Sequence, residues 1–250
     1  MRALIGHTGF VGSNLASAGR YDAFFNSKNS SDMNGGYFSE IVCAGISAVK
    51  WKANQNPEAD SEAIASLIAN LRRVRAQRFI LLSTTDVYQP AIDVTEVDPP
   101  SASGEAYGVH RAQFEEFVRN QFDDVTILRL PALYGPGLKK NAIFDLQNNN
   151  NIETIDPRGR FQWYDVRRLE QDITAVVKAG IRLINISSEP IEMSVIGDVF
   201  FPGKLRCGNF NRLPLCYNMK TKYASLLGGN GDYHFSRKMV LDGIRDYLGA

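Results

Sequence analysis

The chain has 250 residues, 44% of them hydrophobic and 22% charged, which is ordinary globular usage with enough apolar residues for a sizeable core; the length suits one large domain, or a domain carrying a smaller lobe. A formal net charge of +1 argues against an electrostatically driven nucleic-acid or membrane binder, and the basic pairs Arg72-Arg73 and Lys139-Lys140 are too short to change that. No apolar run approaches the roughly 20 residues that a membrane helix needs, and neither the cysteines (Cys43, Cys207, Cys216) nor the histidines (His7, His110, His234) show metal-type spacing, so the expectation is a reduced, cytoplasmic protein without a metal site.

The N-terminus, MRALIGHTGF, runs straight into a short strand (Ala3 to Ile5) and a glycine turn, leaving no room for a signal peptide. GHTGFVG then places Gly6, Gly9 and Gly12 ahead of a helical start. Such a turn lets backbone approach a pyrophosphate, and the helix N-terminus adds unpaired N–H groups and a positive dipole. The same glycines would equally serve a tight turn with close helix–strand packing. At the tip of YDAFFNSKN no Asp or Glu is present to hold a ribose 2′-hydroxyl; Asn26, Ser27 and Lys28 stand there instead. Hydroxyl plus cation suits a 2′-phosphate, which mildly favours NADP over NAD, although a solvated turn lysine reads the same way.

SEIVCAG (39–45) reads as a second buried strand ending in small residues. NPEADSEAIASLIANLRRVRA has Pro57 and Asp60 or Ser61 as start signals, and Ile64, Leu67, Ile68, Leu71 and Val74 follow helical spacing. RFILLSTT is a continuous apolar strand closing in hydroxyl residues, a helix from about Ala106 to Asn120 follows, and VTILRLPALYGPG is another buried strand with a Pro/Gly stop. Strands apolar on both faces alternating with helices imply a parallel sheet covered on both sides. Beyond Gly135, QNNNNIETIDPRGR reads as a surface loop and hairpin, residues 166–180 as a helix, IRLINISSEP as holding one more strand, and the last helix as capped by Ser236 and packing Val240, Leu241, Ile244 and Leu248.

In AYGVHRAQFEEF, Tyr107 and Arg111 lie one turn apart on one helix face. Taken with GHTGFVG, STTDVY, AYGVHR, LRLPALYGPG and the late YNMKTKYASLLG, this helix makes the chain resemble the NAD-dependent epimerase/dehydratase group of the extended short-chain dehydrogenase/reductase family through nearly its whole length. The resemblance implies an α/β, doubly wound Rossmann fold with a small C-terminal mixed substrate lobe: residues 1–135 as the NAD(P)-binding core, completed by 166–187, and 136–165 with 188–250 as the lobe.

By the same resemblance Tyr107 aligns with the general acid/base and Thr84 with the Ser/Thr that bonds the sugar's hydroxyl or keto oxygen. A phenol with ordinary pKa near 10 acts as a base near neutrality only if a cation or the oxidised nicotinamide stabilises its phenolate. The family's lysine four residues on is Arg111 here, which keeps the charge but is planar and larger; it either serves the tyrosine or pairs with Glu115 one turn further. Asp86 sits where related dehydratases carry an acid, but Thr85 replaces the acid before it, leaving that pair incomplete.

The implied cofactor contacts are Gly6, Thr8, Gly9, Phe10, Val11, Gly12, Asn26, Ser27, Lys28, Cys43, Ala44, Gly45, Ser83, Tyr107, Arg111, Pro131 and Leu133, and the implied substrate contacts Thr85, Asp86, Asn141 and Arg160. Ala132 stands where the family often has an asparagine; Asn141 matches the one that opens the helix over the nucleotide diphosphate, and Lys139, Lys140, Arg158 and Arg160 would neutralise a pyrophosphate or simply be solvated. The implied function is an NAD(P)-dependent nucleotide-sugar epimerase, dehydratase or keto-sugar reductase, possible as a homodimer through the helices at 57–75 and 106–120. The rival is a non-catalytic dinucleotide-binding sensor or scaffold.

Overall fold

The computed structural model describes residues 1–205, 210–211 and 213–249; Cys207 lies outside the described residues. In chain order the strands are β1 (Arg2–Ile5), β2 (Ala23–Phe25), β3 (Tyr37–Cys43), β4 (Arg75–Thr84), β5 (Ile92–Val94), β6 (Val125–Leu130), β7 (Ala132–Tyr134), β8 (Arg160–Phe161), β9 (Trp163–Asp165), β10 (Leu183–Asn185), β11 (Ile191–Glu192) and β12 (Asn218–Met219). The helices are α1 (Phe10–Ala18), α2 (Lys50–Gln55), α3 (Pro57–Leu71), α4 (Ala106–Gln121), α5 (Ala142–Asn148), α6 (Leu169–Lys178), α7 (Met193–Phe200) and α8 (Arg237–Leu248). They form two compact units, Met1–Gln89 with Asp98–Arg129 and Leu169–Ile184, and Pro90–Val97 with Leu130–Arg168 and Asn185–Ala250.

The first unit is built on a six-stranded sheet in the order β10-β6-β4-β3-β1-β2, with β1 pairing parallel to β2 on one side and to β3 on the other, and β3 parallel to β4. Side chains alternate along each strand, so one strand feeds two cores. Ala3, Ile5, Ile41, Cys43, Phe79, Leu81 and Ile127 share a core with Ile64, Leu67 and Leu71 of α3 and Phe114 and Val118 of α4. Their neighbours Leu4, Val42, Ile80 and Leu128 point the other way and are also fully buried. Helices therefore cover both faces, and the fold is doubly wound and Rossmann-like. The chain crosses β1 from β2 to β3 through one short helical turn (Ser30–Met33). This reversal of strand order at β1 is the switch point at whose carboxyl end ligands bind in such sheets.

Local signals set most boundaries. Asn56 caps α3 by accepting from the Ala59 N–H at 3.2 Å, with Pro57 at its first position. The helix stops at Leu71, sooner than the apolar spacing suggests, because Arg75 already begins β4. Likewise α6 starts at Leu169 after a helical turn over Val166–Arg168.

One feature of this unit departs from apolar packing. Arg129 of β6, 1% exposed, forms a two-pronged ion pair with the buried Glu115 of α4 at 3.0 and 2.6 Å. Its other terminal nitrogen meets the Tyr88 hydroxyl, and Glu115 also accepts from the Ser83 Oγ at 2.6 Å.

The second unit consists of two-stranded pairings, β7 parallel to β9, β8 antiparallel to β11 and β5 parallel to β12, with α5, α7 and α8. Its centre is stitched by the buried Gln162 amide, which donates to the carbonyls of Ser188 and Met219 and accepts from the Met219 N–H, at 2.6–2.7 Å. The expected hairpin in the asparagine run does not form: α5 continues through Asn148, and Asn149 and Asn151 take left-handed backbone at φ 54° and 46°, which asparagine tolerates better than most residues. Ser236 caps α8 as its position suggests, accepting from Met239 N–H at 3.3 Å, and Val240 and Ile244 are the residues it buries. No helix among the described residues is long and apolar enough to cross a membrane.

His234 of this unit is completely buried, and its Nδ1 accepts from the Ser187 N–H at 3.2 Å. Burial brings its pKa down to about 4, and the Ser187 N–H on Nδ1 fits the neutral ring. With a folded value below the unfolded one near 6.5, the unfolded chain takes up the proton first, so stability falls as pH drops from about 6.5 to about 4. Comparing urea unfolding of wild type and His234→Phe across this range should show that the variant loses less stability, by up to about 3 kcal/mol.

Candidate active site

The glycine turn follows β1. Gly6 holds φ +88°, and a Cβ there would lie 2.3 Å from the Ala44 carbonyl oxygen; at Gly12 it would lie 2.1 Å from the Gly6 carbonyl oxygen. These two glycines are therefore required by close backbone packing. Gly9 is different, because its Cβ would meet nothing nearer than 3.4 Å, leaving an approach to backbone beside the start of α1. That start has no side-chain cap and no acidic residue in its first turn, so nothing there competes with an anion for its N–H groups. Thr8 is exposed beside it, with Phe10 and Val11 half-buried. Together these features fit a dinucleotide's pyrophosphate.

At the end of β2, Asn26 is occupied by the turn: its Oδ1 accepts from the Lys28 N–H at 2.8 Å, and its own N–H donates to Asn29 Oδ1 at 2.7 Å. Ser27 and Lys28 are exposed. Cys43 faces the core, where burial pushes its thiol up to about 12, so Ala44 and Gly45 are what the end of β3 presents.

The reactive groups gather where β4 ends and α4 begins. Thr84 Oγ1 accepts from the Asp86 N–H at 3.1 Å and lies 3.3 Å from Asp86 Oδ2; the start of α4 packs on this turn, where a Cβ on Gly108 would lie 2.0 Å from the Asp86 carbonyl oxygen, and the Thr84 hydroxyl is near enough to Tyr107 to favour its phenolate. Asp86 Oδ1 accepts from Lys50 Nζ at 2.8 Å, and the same ammonium lies 2.9 Å from Glu105. Tyr107 is seated by its own backbone, whose N–H donates to Asn54 Oδ1 at 2.9 Å. Burial, with Asp86 adding to it, raises the Tyr107 pKa against the opposing pull of Arg111, Thr84 and Lys50; the phenol is protonated near neutral pH. Thr85 is buried with its Oγ1 unpartnered, and Ser83 is committed to Glu115.

Arg111 does not pair with Glu115, because Glu115 is taken by Arg129. Its guanidinium, 4% exposed, grips Asp60 of α3 at 2.5 and 2.9 Å and donates to the carbonyls of Ser47 at 2.5 Å and Tyr107 at 3.2 Å. It stacks on the Tyr107 ring with Cζ 4.0 Å from the centroid. His110 Nδ1 also meets Asp60, at 2.8 Å. Burial acts to raise the Asp60 pKa, but Arg111 and His110 outweigh it and hold the carboxyl below its usual range.

Thr84, Asp86, Tyr107 and Arg111 thus come together within the first unit. Pro131, Leu133, Asn141 and Arg160 belong to the second. There Asn141, at φ +103°, caps α5 by accepting from the N–H groups of Ile143 and Phe144, and its Nδ2 donates to the Leu133 carbonyl at 2.8 Å. Arg160 pairs with Glu192 at 2.9 Å and Arg158 with Asp156 at 2.8 Å. Sequence reasoning missed Lys50, Asn54, Glu105 and the pairing role of Asp60. Lys50 and Asn54 stand in a segment without spacing signals, and Asp60 looked like a helix-start residue. No group of His, Cys, Asp and Glu among the described residues is arranged to hold a metal ion.

Residues 39–153 match the model of the NAD dependent epimerase/dehydratase family, which bears out the resemblance drawn from the motifs. No curated protein matches the chain in sequence. Among solved structures it is similar to a dTDP-4-dehydrorhamnose reductase from Clostridium acetobutylicum (14% identity, TM-score 0.76, covering 100% of this chain and 99% of that one). It is also similar to a dTDP-glucose 4,6-dehydratase from Streptomyces venezuelae solved with NAD bound (16%, 0.73, 100% and 96%) and to a UDP-N-acetylglucosamine 4-epimerase from Methanobrevibacter ruminantium (13%, 0.70, 99% and 96%). At these identities the likeness is one of fold.

Removing the partner of a buried charge costs about 3–5 kcal/mol. Asp60→Ala should therefore lower the urea midpoint by that equivalent, and adding Arg111→Met should recover much of it, a coupling that a double-mutant cycle measures.

Proposed function

We propose that this chain, whose residues 39–153 match the NAD dependent epimerase/dehydratase family, is a nicotinamide-dependent enzyme acting on a nucleotide-activated sugar, with reduction of a keto-sugar as the best-supported reaction. The observation that carries the reading is the convergence of Tyr107, with the Arg111 Cζ 4.0 Å from its ring centroid, on Thr84 and Asp86 at the end of β4, with the phenol kept protonated by burial. A protonated phenol is a proton donor, which is what a keto oxygen requires as it becomes an alcohol. Thr84 Oγ1 orients and polarises that oxygen, and the stacked Arg111 guanidinium limits the rise in the phenol's pKa, so the proton remains transferable. Dehydration is less well supported, because Thr85 offers no acid beside Asp86. Epimerisation uses the same pair and differs in returning the hydride to the sugar.

The hydride would come from a bound nicotinamide dinucleotide. Gly6 to Gly12 would hold its pyrophosphate against the N-terminus of α1, and Ala44 and Gly45 would border it. Ser27 and Lys28 would face the adenosine side, where their hydroxyl and cation favour a 2′-phosphate. Asn141 and Arg160 would serve the nucleotide diphosphate, and pairing of two copies through α3 and α4 belongs to the same reading. The alternative of a dinucleotide sensor draws support from Arg111, both of whose terminal nitrogens are spent inside the protein. A sensor has no use for the Thr84–Tyr107 pair.

Tyr107→Phe should lower keto-sugar-dependent oxidation of NADPH or NADH by about 10²–10⁴-fold, the usual contribution of a general acid, while cofactor binding persists; wild-type turnover in that variant would defeat the mechanism. Lys28→Ala should weaken NADPH binding by roughly tenfold or more, the loss expected for one charge-assisted hydrogen bond, and leave NADH binding nearly unchanged, as read by cofactor fluorescence titration.

A further inference from the structure

The charged and titratable groups on the elements around Tyr107 come from several places in the chain. Arg111 and His110 share its helix, Glu105 immediately precedes that helix, Asp60 is on α3, Asp86 follows β4, and Lys50 begins α2. Their arrangement separates two positive charges. Arg111 is balanced by Asp60 and lies against the face of the ring. Lys50 lies on the side of Asp86: its ammonium holds Asp86 Oδ1 at 2.8 Å, the other carboxylate oxygen lies 3.3 Å from Thr84 Oγ1, and the Asp86 carbonyl packs against Gly108, the residue after Tyr107. Asp86 is thus a negative charge close to the group that must become negative when the proton leaves. Uncompensated, it would oppose that step.

We infer that Lys50 is a positioning residue for Tyr107, neutralising Asp86 so that the Thr84–Asp86 pair orients the phenol without opposing its ionisation. The arrangement divides between two residues what one lysine on the tyrosine's own helix would do. Arg111 supplies a buried charge to the ring, and Lys50 supplies an ammonium held by Asp86 and Glu105, with its side chain 35% exposed. The inference rests on the reading of Tyr107 as the proton-transfer group, but its test needs neither substrate nor cofactor.

The chain is labelled with 3-fluorotyrosine, whose phenol is more acidic, and the Tyr107 resonance, assigned by its loss in Tyr107→Phe, is titrated by fluorine NMR. Lys50→Met should move the Tyr107 midpoint up by roughly one pH unit or more, as for loss of an opposite charge near a titrating group. Lys50→Arg should stay near wild type, and Lys50→Met with Asp86→Asn should return most of the shift, because the effect passes through Asp86. Glu105→Gln, which also removes a partner of Lys50, should give no upward shift, separating charge from simple loosening of the side chain. An unchanged midpoint in Lys50→Met, or a double variant no nearer to wild type than Lys50→Met, would overturn the inference. The enzyme reading fails separately, through retained turnover in Tyr107→Phe.

Discussion

The first unit depends on the burial of two opposite charges on one helix. Arg111 and Glu115 are one turn apart on α4 and both are buried, yet they do not answer each other: Arg111 takes Asp60 of α3 and Glu115 takes Arg129 of β6. A buried charge that loses its partner costs about 3–5 kcal/mol, a large share of the 5–15 kcal/mol by which a domain is stable. Sliding or rotating α4 would break both pairs at once, so its register against α3 and the sheet is tightly specified. Tyr107 stands one turn before Arg111 on that helix, and its meeting with Thr84 at the end of β4 follows from this register.

The ion pairs also decide what each cation is available to do. A guanidinium suits a buried, multiply bonded seat because it is planar and weakly hydrated, whereas an ammonium is a compact charge on a flexible stem. Arg111 occupies such a seat and reaches Tyr107 through the ring. Lys50 is held by Asp86 and by the exposed Glu105, with its side chain partly open to solvent. The arginine in AYGVHR is thus built into the support of the tyrosine, beneath its ring.

Much of this was legible in the chain. Continuous apolar strands, helical spacing over residues 57–74, Pro57 and Ser236 mark elements through local propensities that hold wherever the segment lies. GHTGFVG was legible because backbone crowding at Gly6 and Gly12 permits no side chain. Boundaries that neighbouring elements impose were not: the end of α3 is set by the start of β4, and the asparagine run gives a helix end with left-handed residues in place of a hairpin.

The sequence by itself determined the doubly wound fold, the glycine turn at the switch point, and the pair of hydroxyls, Thr84 and Tyr107, around which the chemistry is proposed. The fold and the turn depend on periodicity and short motifs, which are local, and the hydroxyl pair was marked by the resemblance that those motifs carry. Tertiary structure alone decided the charges. Between Glu115 and Asp60 as partners for Arg111, helical spacing favoured the near one, and packing chose the one 51 residues away, because Arg129 had already claimed Glu115 in the core. Lys50, in a segment without a motif, reaches the reactive group only because α2 folds back against the start of α4. Pairwise electrostatics in a protein interior depends on distance and burial, and neither is written in the order of residues.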